Sequence, residues 1–562
     1  MVKDQTGWCL LGVSLLLFLA VENAGAHPAH SKPVNYPFVV GFERFHSGMD
    51  DDEYLAGGGF ILLNELNCVA CHAPPESLAS QLPGMLATDL TGVATRLGPL
   101  DLEIMIRNPR FAKRDTTMPS LFAGPDRDLD EVNALKHYLA TLTYEIPEYG
   151  IGDIEKGRSL YHRIGCVACH APELGYRPPG LPENAEIELA GLPSVPMNLA
   201  DLYDLDSLTH FLLHPNEHRP SGRMPDFKLS QTEASDLAAY LKAGPDLVLP
   251  DNVTEALTQS IAFELDPALA EKGRGIFQEK KCSACHLAPG EKSELTRHRA
   301  RPLAELRTDP MSGCFSDRPV GGPVPFYGLD KVQKRAISAA LQRLSSKGAL
   351  DLNGEIDWRM KQLNCYACHE RGGIGGPEVS REVYFGFGEE RAIALGRWGN
   401  LPPALDHVGA KLTPDWLGRV LYGTKGGGSV RPYLDARMPV FRKSDVEPFF
   451  TRFPKADVRE QQGGRKLAAL LNHGTEEAGK KHFFEGEGAC IRCHDAGTEK
   501  STEMPGINLA SSAARLERTY FEQLILDPQS LQPGTLMPDP VGLDEQGQTI
   551  DSLWKWLKSL AP

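Results

Sequence analysis

One short motif, present five times, constrains this chain more than any other feature. It reads Cys68-Val69-Ala70-Cys71-His72, Cys166-Val167-Ala168-Cys169-His170, Cys282-Ser283-Ala284-Cys285-His286, Cys365-Tyr366-Ala367-Cys368-His369 and Cys490-Ile491-Arg492-Cys493-His494. Two thiols three positions apart in a helical turn reach the two vinyl groups of one haem. The adjacent His then lies under the iron as its proximal ligand. The motifs therefore predict five covalent haem c groups held by these ten cysteines, with His72, His170, His286, His369 and His494 on the irons. At this composition a chance copy is expected on the order of 0.01 times per chain. Disulfide pairing needs no His after every second Cys. Zinc sites space their His away from the Cys pair. A thioredoxin-like motif would occur once, within a βαβ pattern.

The N-terminus bears on the compartment. Residues 1 to 7 are polar and carry Lys3, Trp8 to Val21 is uncharged and rich in Leu, and Ala24-Gly25-Ala26 offers small residues for cleavage. This predicts a signal peptide over 1–26 and a periplasmic or otherwise exported protein. The apolar run is short for a bilayer span, although an uncleaved anchor is the competing reading. No later segment is apolar enough to span a membrane. Of 12 Cys, Cys9 falls inside that run, ten fall in the motifs, and Cys314 is left over. A chain starting at His27 would hold 536 residues, too many for one ordinary core. The formal charge is -15; residues 1–26 carry Lys3 against Asp4 and Glu22, which leaves -14 for the rest. Nucleic acid would call for a basic patch. An acidic surface suits solvation, or the steering of basic-surfaced redox partners.

The chain around the motifs repeats. Glu155-Lys156-Gly157-Arg158-Ser159-Leu160-Tyr161 parallels Glu271-Lys272-Gly273-Arg274-Gly275-Ile276-Phe277. Gly59, Gly157 and Gly273 each lie nine residues before the first Cys, Gly479 lies eleven before, and the fourth unit has no counterpart. Small residues there would let one helix approach another closely. Apolar spacing of three and four predicts a closing helix in each unit: Glu131 to Leu142, Glu233 to Ala243, Val332 to Leu344, Arg459 to Leu471, and Ile550 to Leu560. Pro- and Gly-bearing connectors at 145–150 and 244–250 mark boundaries. Strand-period alternation is scarce. The expectation is an all-α protein of five tandem domains, one haem each, at 27–147, 148–250, 251–348, 349–473 and 474–562.

The sixth iron ligand separates electron transfer from catalysis. Met118-Pro119, Met224-Pro225, Met438-Pro439 and Met537-Pro538 lie 46, 54, 69 and 43 residues after the proximal His of their units, each in a late loop. Four such pairs at matching places outweigh the usual reading of a lone Met as core. An N-terminal helix, Cys-x-x-Cys-His, a variable loop, a Met from a late loop and a C-terminal helix together resemble the class I cytochrome c domain. The resemblance covers nearly all of the chain after residue 26. It implies low-spin haems ligated by the motif His and by Met118, Met224, Met438 and Met537, with raised potentials. The third unit departs, with Val324 where the Met should be. Met311, His298, Cys314 and an open site stand as alternatives for its sixth position. His210, His214 and His218, spaced by four, and His27 and His30 read as solvated or supporting residues.

The leading expectation is an electron-transfer protein, passing electrons singly between redox partners. The alternative is a haem oxidoreductase, a peroxidase or a sulfur-compound oxidising enzyme, with the His286 haem and Cys314 as the candidate catalytic centre. No nucleotide loop, nucleophile elbow or zinc-protease helix is present.

Overall fold

The structure is a computed structural model that describes residues 34–122, 129–179, 181, 194–197, 203–243, 263–291, 300–306, 313–320, 324–344, 350–385, 395–423, 430–431, 433–457, 473–486, 488–504, 506–538 and 547–560. The described chain is helical, apart from a two-residue hairpin at Glu370–Arg371 and Ile374–Gly375 and isolated bridges. An opening helix precedes each motif: Asp52–Glu65, Ile154–Arg163, Pro267–Glu279, Leu352–Gln362 and Glu476–Phe484. All five start on a side-chain cap, from Asp51, Asp153, Asp266, Asp351 and Thr475 in turn. Such a cap satisfies N–H groups that the first turn leaves without partners, worth about 1 kcal/mol each.

Three cores are built from contiguous chain. Residues 161–241 supply most of one, with Tyr161 and Tyr240 in contact. A second runs from Ile356 to Phe453, and a third draws chiefly on 483–557, with Phe483 against Trp556.

The other two cores are interleaved, and this corrects the expected boundaries 27–147 and 251–348. Helix Asp52–Glu65 packs on Lys331–Leu344, joining Leu55, Ile61 and Leu62 to Ala336, Ile337 and Ala340. Helix Pro267–Glu279 packs on Leu129–Ala140, joining Ile276 and Phe277 to Val132, Leu135 and Tyr138. The first motif thus shares its core with the second half of the expected third domain, and the third motif with the second half of the first. The physical reason lies in the helix contacts. A Cβ on Gly59 would run into the Ala336 carbonyl, and one on Gly273 into the Ala134 carbonyl. Gly157 and Gly479 meet Asp236 and Ser552 of their own units in the same way. All four glycines have one geometric role, and in two units the partner helix comes from elsewhere in the chain.

The fourth unit differs again. Its closing helix is Lys443–Ala456, which carries Pro448 and Pro454 inside and buries Val446, Phe449 and Phe453. The expected helix Arg459 to Leu471 lies outside the described residues. Close approach here falls to Gly409, where a Cβ would meet the Phe453 backbone.

Units meet through specific contacts. Arg223 of the second unit donates to Glu65 Oε2 (2.7 Å) and to Thr117 Oγ1 (3.0 Å). Trp358, on the fourth opening helix, is buried in the core of the first motif. The fifth unit docks on the fourth, with Thr413 N–H donating to Arg515 O and Glu517 N–H to Lys411 O, both at 2.9 Å.

Candidate functional site: five attachment motifs

Each motif forms one 3-10 turn over its first three residues. The His N–H closes it on the first Cys carbonyl, at 3.0 Å for His72 and 2.9 Å for the other four. That turn puts both sulfurs within reach of one ring system, as covalent haem attachment requires. The residue before the first Cys is left-handed in four motifs: Asn67 (φ 56°), Gly165 (φ 115°), Lys281 (φ 61°) and Asn364 (φ 54°). Asn tolerates this conformation better than most residues and Gly adopts it freely.

Every motif His is oriented by a backbone carbonyl. The Nδ1 atoms of His72, His170, His286, His369 and His494 lie 2.6, 2.8, 2.8, 2.7 and 3.1 Å from the carbonyl oxygens of Arg301, Val195, Thr88, Pro403 and Ile507. Such a bond leaves Nε2 as the ligand atom and fixes the ring plane. Burial lowers the pKa of His170, to about 4, and also of His286, His369 and His494, which favours the neutral imidazole an iron needs.

These carbonyls expose the interleaving at the site itself. His72 leans on Arg301, while Ala300 N–H donates to Cys71 O (3.2 Å). His286 leans on Thr88, while Ala87 N–H donates to Cys285 O (2.8 Å). Val195 to Cys169 (2.8 Å) and Gly506 to Cys493 (2.7 Å) make the same bond within one unit. Counted from the carbonyl residue, Met118, Met224, Met438 and Met537 follow by 30, 29, 35 and 30 residues. Met118 therefore belongs to the half that surrounds His286.

The half that carries Val324 is then the one around His72, not the one around His286. Val324 lies in the half that packs on Asp52–Glu65. Cys314 packs on the same core beside Cys68. Burial raises the Cys314 pKa, with a further push from Cys71. This half is also shorter. The other four have a helix of eight or nine residues before the ligand loop: Pro99–Arg107, Leu205–Leu213, Pro414–Leu421 and Arg518–Leu526. The half around His72 has, among the described residues, the three-residue turns Leu303–Glu305 and Gly313–Phe315. Cys71 is the one exposed cysteine of the ten. His298 and Met311 lie outside the described residues, as do 1–26, His27 and His30.

Two groups of cations stand beside the histidines and fit the two propionates that a haem carries. Burial, followed by the charges of Arg515 and Arg431, lowers Lys411 to about 7. Burial, then Arg431, lowers Arg515 to about 10. Arg515 Nε is buried without a partner among the described residues. Beside His170, burial holds Lys113 at about 8, partly offset by Asp115. Buried cations gain from a nearby anion.

The His210, His214 and His218 group is not simply solvated. Tyr149 Oη lies 2.6 Å from His210 Nδ1, and Arg96 Nη1 lies 2.6 Å from a buried His218 Nδ1. Burial, then Arg96, drives the His218 pKa down to about 3. His214, more exposed, lies 3.6 Å from Glu217.

Residues 154–244 match the family model described as Cytochrome c. That segment is the second unit and is a cytochrome c-type domain, whose cofactor is covalent haem c and whose chemistry is haem-based electron transfer. No curated protein and no solved structure matches the chain. No helix among the described residues is long and apolar enough to cross a membrane.

Proposed function

We propose, from the cytochrome c-type domain at 154–244, that the whole chain is an exported pentahaem c-type cytochrome that transfers electrons between redox partner proteins. The supporting observation is the fivefold recurrence of one arrangement: a Cys-x-x-Cys-His turn whose His Nδ1 faces a backbone carbonyl. Cys68 and Cys71, Cys166 and Cys169, Cys282 and Cys285, Cys365 and Cys368, and Cys490 and Cys493 hold the haems. The motif histidines orient them, and Met118, Met224, Met438 and Met537 supply the sixth ligand at His286, His170, His369 and His494. Bound there, haem c supplies a one-electron couple. The acidic surface suits basic-faced partners. Intact mass and pyridine haemochrome assay of the exported protein should give five haems per chain; four or fewer would overturn the count.

A second reading is favoured by one site. In the half around His72 the position aligned with the Met-Pro pairs holds Val324, the covering helix is absent among the described residues, and Cys71 is exposed. These features support a haem oxidoreductase with its reactive centre at His72, the other four units acting as its electron supply. The reduced protein should bind about one CO per chain, and Val324→Met, which offers a thioether at the position opposite His72, should abolish that binding. If CO binding persists in a Val324→Met protein that keeps five haems, or is absent from the start, this reading is lost.

A further inference from the structure

Two pairs of motifs touch at their cysteines. Asn67, just before the first motif, directs its Nδ2 at Cys285 Sγ of the third (3.2 Å) and at Ala284 O (3.5 Å). Its Oδ1 accepts from Met85 N–H (3.3 Å), which assigns the amide orientation. Asn364, just before the fourth motif, directs its Nδ2 at Cys169 Sγ of the second, again at 3.2 Å. In both cases the contact falls on the second cysteine of the partner motif.

The same partners meet at a second place. Two residues beyond the sixth-ligand position, Ser120 and Phe326 exchange backbone hydrogen bonds (3.0 and 2.9 Å). Asp226 and Val440 do the same (2.9 and 2.7 Å). The ligand loops of Met118 and Val324 are thus joined, as are those of Met224 and Met438. Cys169 and Cys368 also flank one small cluster made by Ala168, Ala367, Phe385 and Leu401. Arg381 of the fourth unit donates to the carbonyls of Val167 (2.8 Å) and Ala168 (3.1 Å) in the second motif.

We propose that Asn67 and Asn364 are positioning residues that pair four of the five attachment sites as two dyads, first with third and second with fourth, while the fifth docks on the fourth unit without such an amide. The proposal rests on the five-haem reading above. A cysteine sulfur is a weak acceptor, so each amide acts mainly by setting distance. It brings the sulfur edge of one site against the peptide that carries the other. Neighbours so placed exchange one electron, one iron oxidised as the other is reduced, with no bond made or broken. The left-handed backbone at both Asn residues is what aims their side chains across the junction.

The test is a spectroscopic redox titration of the full-length, haem-loaded protein in four forms. Asn67→Asp keeps the side-chain shape and places a carboxylate at the junction of the first and third sites. It should lower two of the five potentials and leave three unchanged. Asn364→Asp should lower a different two, and the fifth should move in neither. Asn67→Gly and Asn364→Gly keep the backbone conformation, remove the amide, and should weaken the magnetic interaction in one dyad each. Haem content is measured on every variant. Five haems with one potential shifted, none shifted, or the same set shifted by both variants would overturn the dyads while leaving the five-haem reading intact. A content other than five would strike that reading itself.

Discussion

Met118→Ala should alter the haem held by Cys282 and Cys285 and leave the one held by Cys68 and Cys71 as it was. The near-infrared methionine-to-iron band should fall by about a quarter, because the proposed ligation gives four sites a methionine. The affected centre should drop in potential, since the soft thioether favours ferrous iron. Assignment comes from a second variant. With Cys282 and Cys285 both changed to Ala, adding Met118→Ala should cause no further loss of the band. With Cys68 and Cys71 changed instead, the full loss should remain. The opposite result would mean that 27–147 forms a contiguous unit after all. The expectation follows from His286 facing Thr88 and from the core that joins Phe277 to Tyr138.

Gly273→Val should be among the most destabilising single changes in the chain. A Cβ at 273 meets the Ala134 carbonyl and the Tyr138 Cβ, and a main-chain carbonyl cannot rotate away. Overpacking costs about 1 to 3 kcal/mol where side chains can adjust, and this site should exceed that range. Gly275→Ala is the control, two residues along the same helix with nothing within 4 Å of an added Cβ. Replacing Gly by Ala there should stabilise by about 0.5 to 1 kcal/mol. Thermal unfolding compares the two. Hydrogen exchange in Leu129–Ala140 should rise in Gly273→Val, although that helix lies more than a hundred residues away in sequence. Unchanged protection there would contradict the pairing.

Much of the local structure is legible in the residues. The motifs announce their turns, and Gly59, Gly157, Gly273 and Gly479 mark where helices come close. Asp or Thr before each opening helix is a further signal, a standard cap that sequence reasoning passed over. The helix Lys443–Ala456 is not legible by pattern, because Pro448 and Pro454 argue against it. Val446, Phe449 and Phe453 nevertheless keep a buried face at helical spacing. The roles of Asn67 and Asn364 could not be found from sequence, since each acts on a sulfur about two hundred residues away.

The sequence by itself determined the repeated parts: five attachment motifs, five histidines as candidate ligands, four Met-Pro pairs and one Val324 in the place of a fifth. Those are short-range matters of spacing and side-chain chemistry. Which opening half joins which closing half was decided only in three dimensions. The first and third opening helices both carry a glycine nine residues before the first Cys, and that signal does not say which closing helix each one meets. The choice rests on long-range packing, in which Gly59 seats against Ala336 and Gly273 against Ala134. That packing joins the half that carries Met118 to the His286 motif and the half that carries Val324 to the His72 motif.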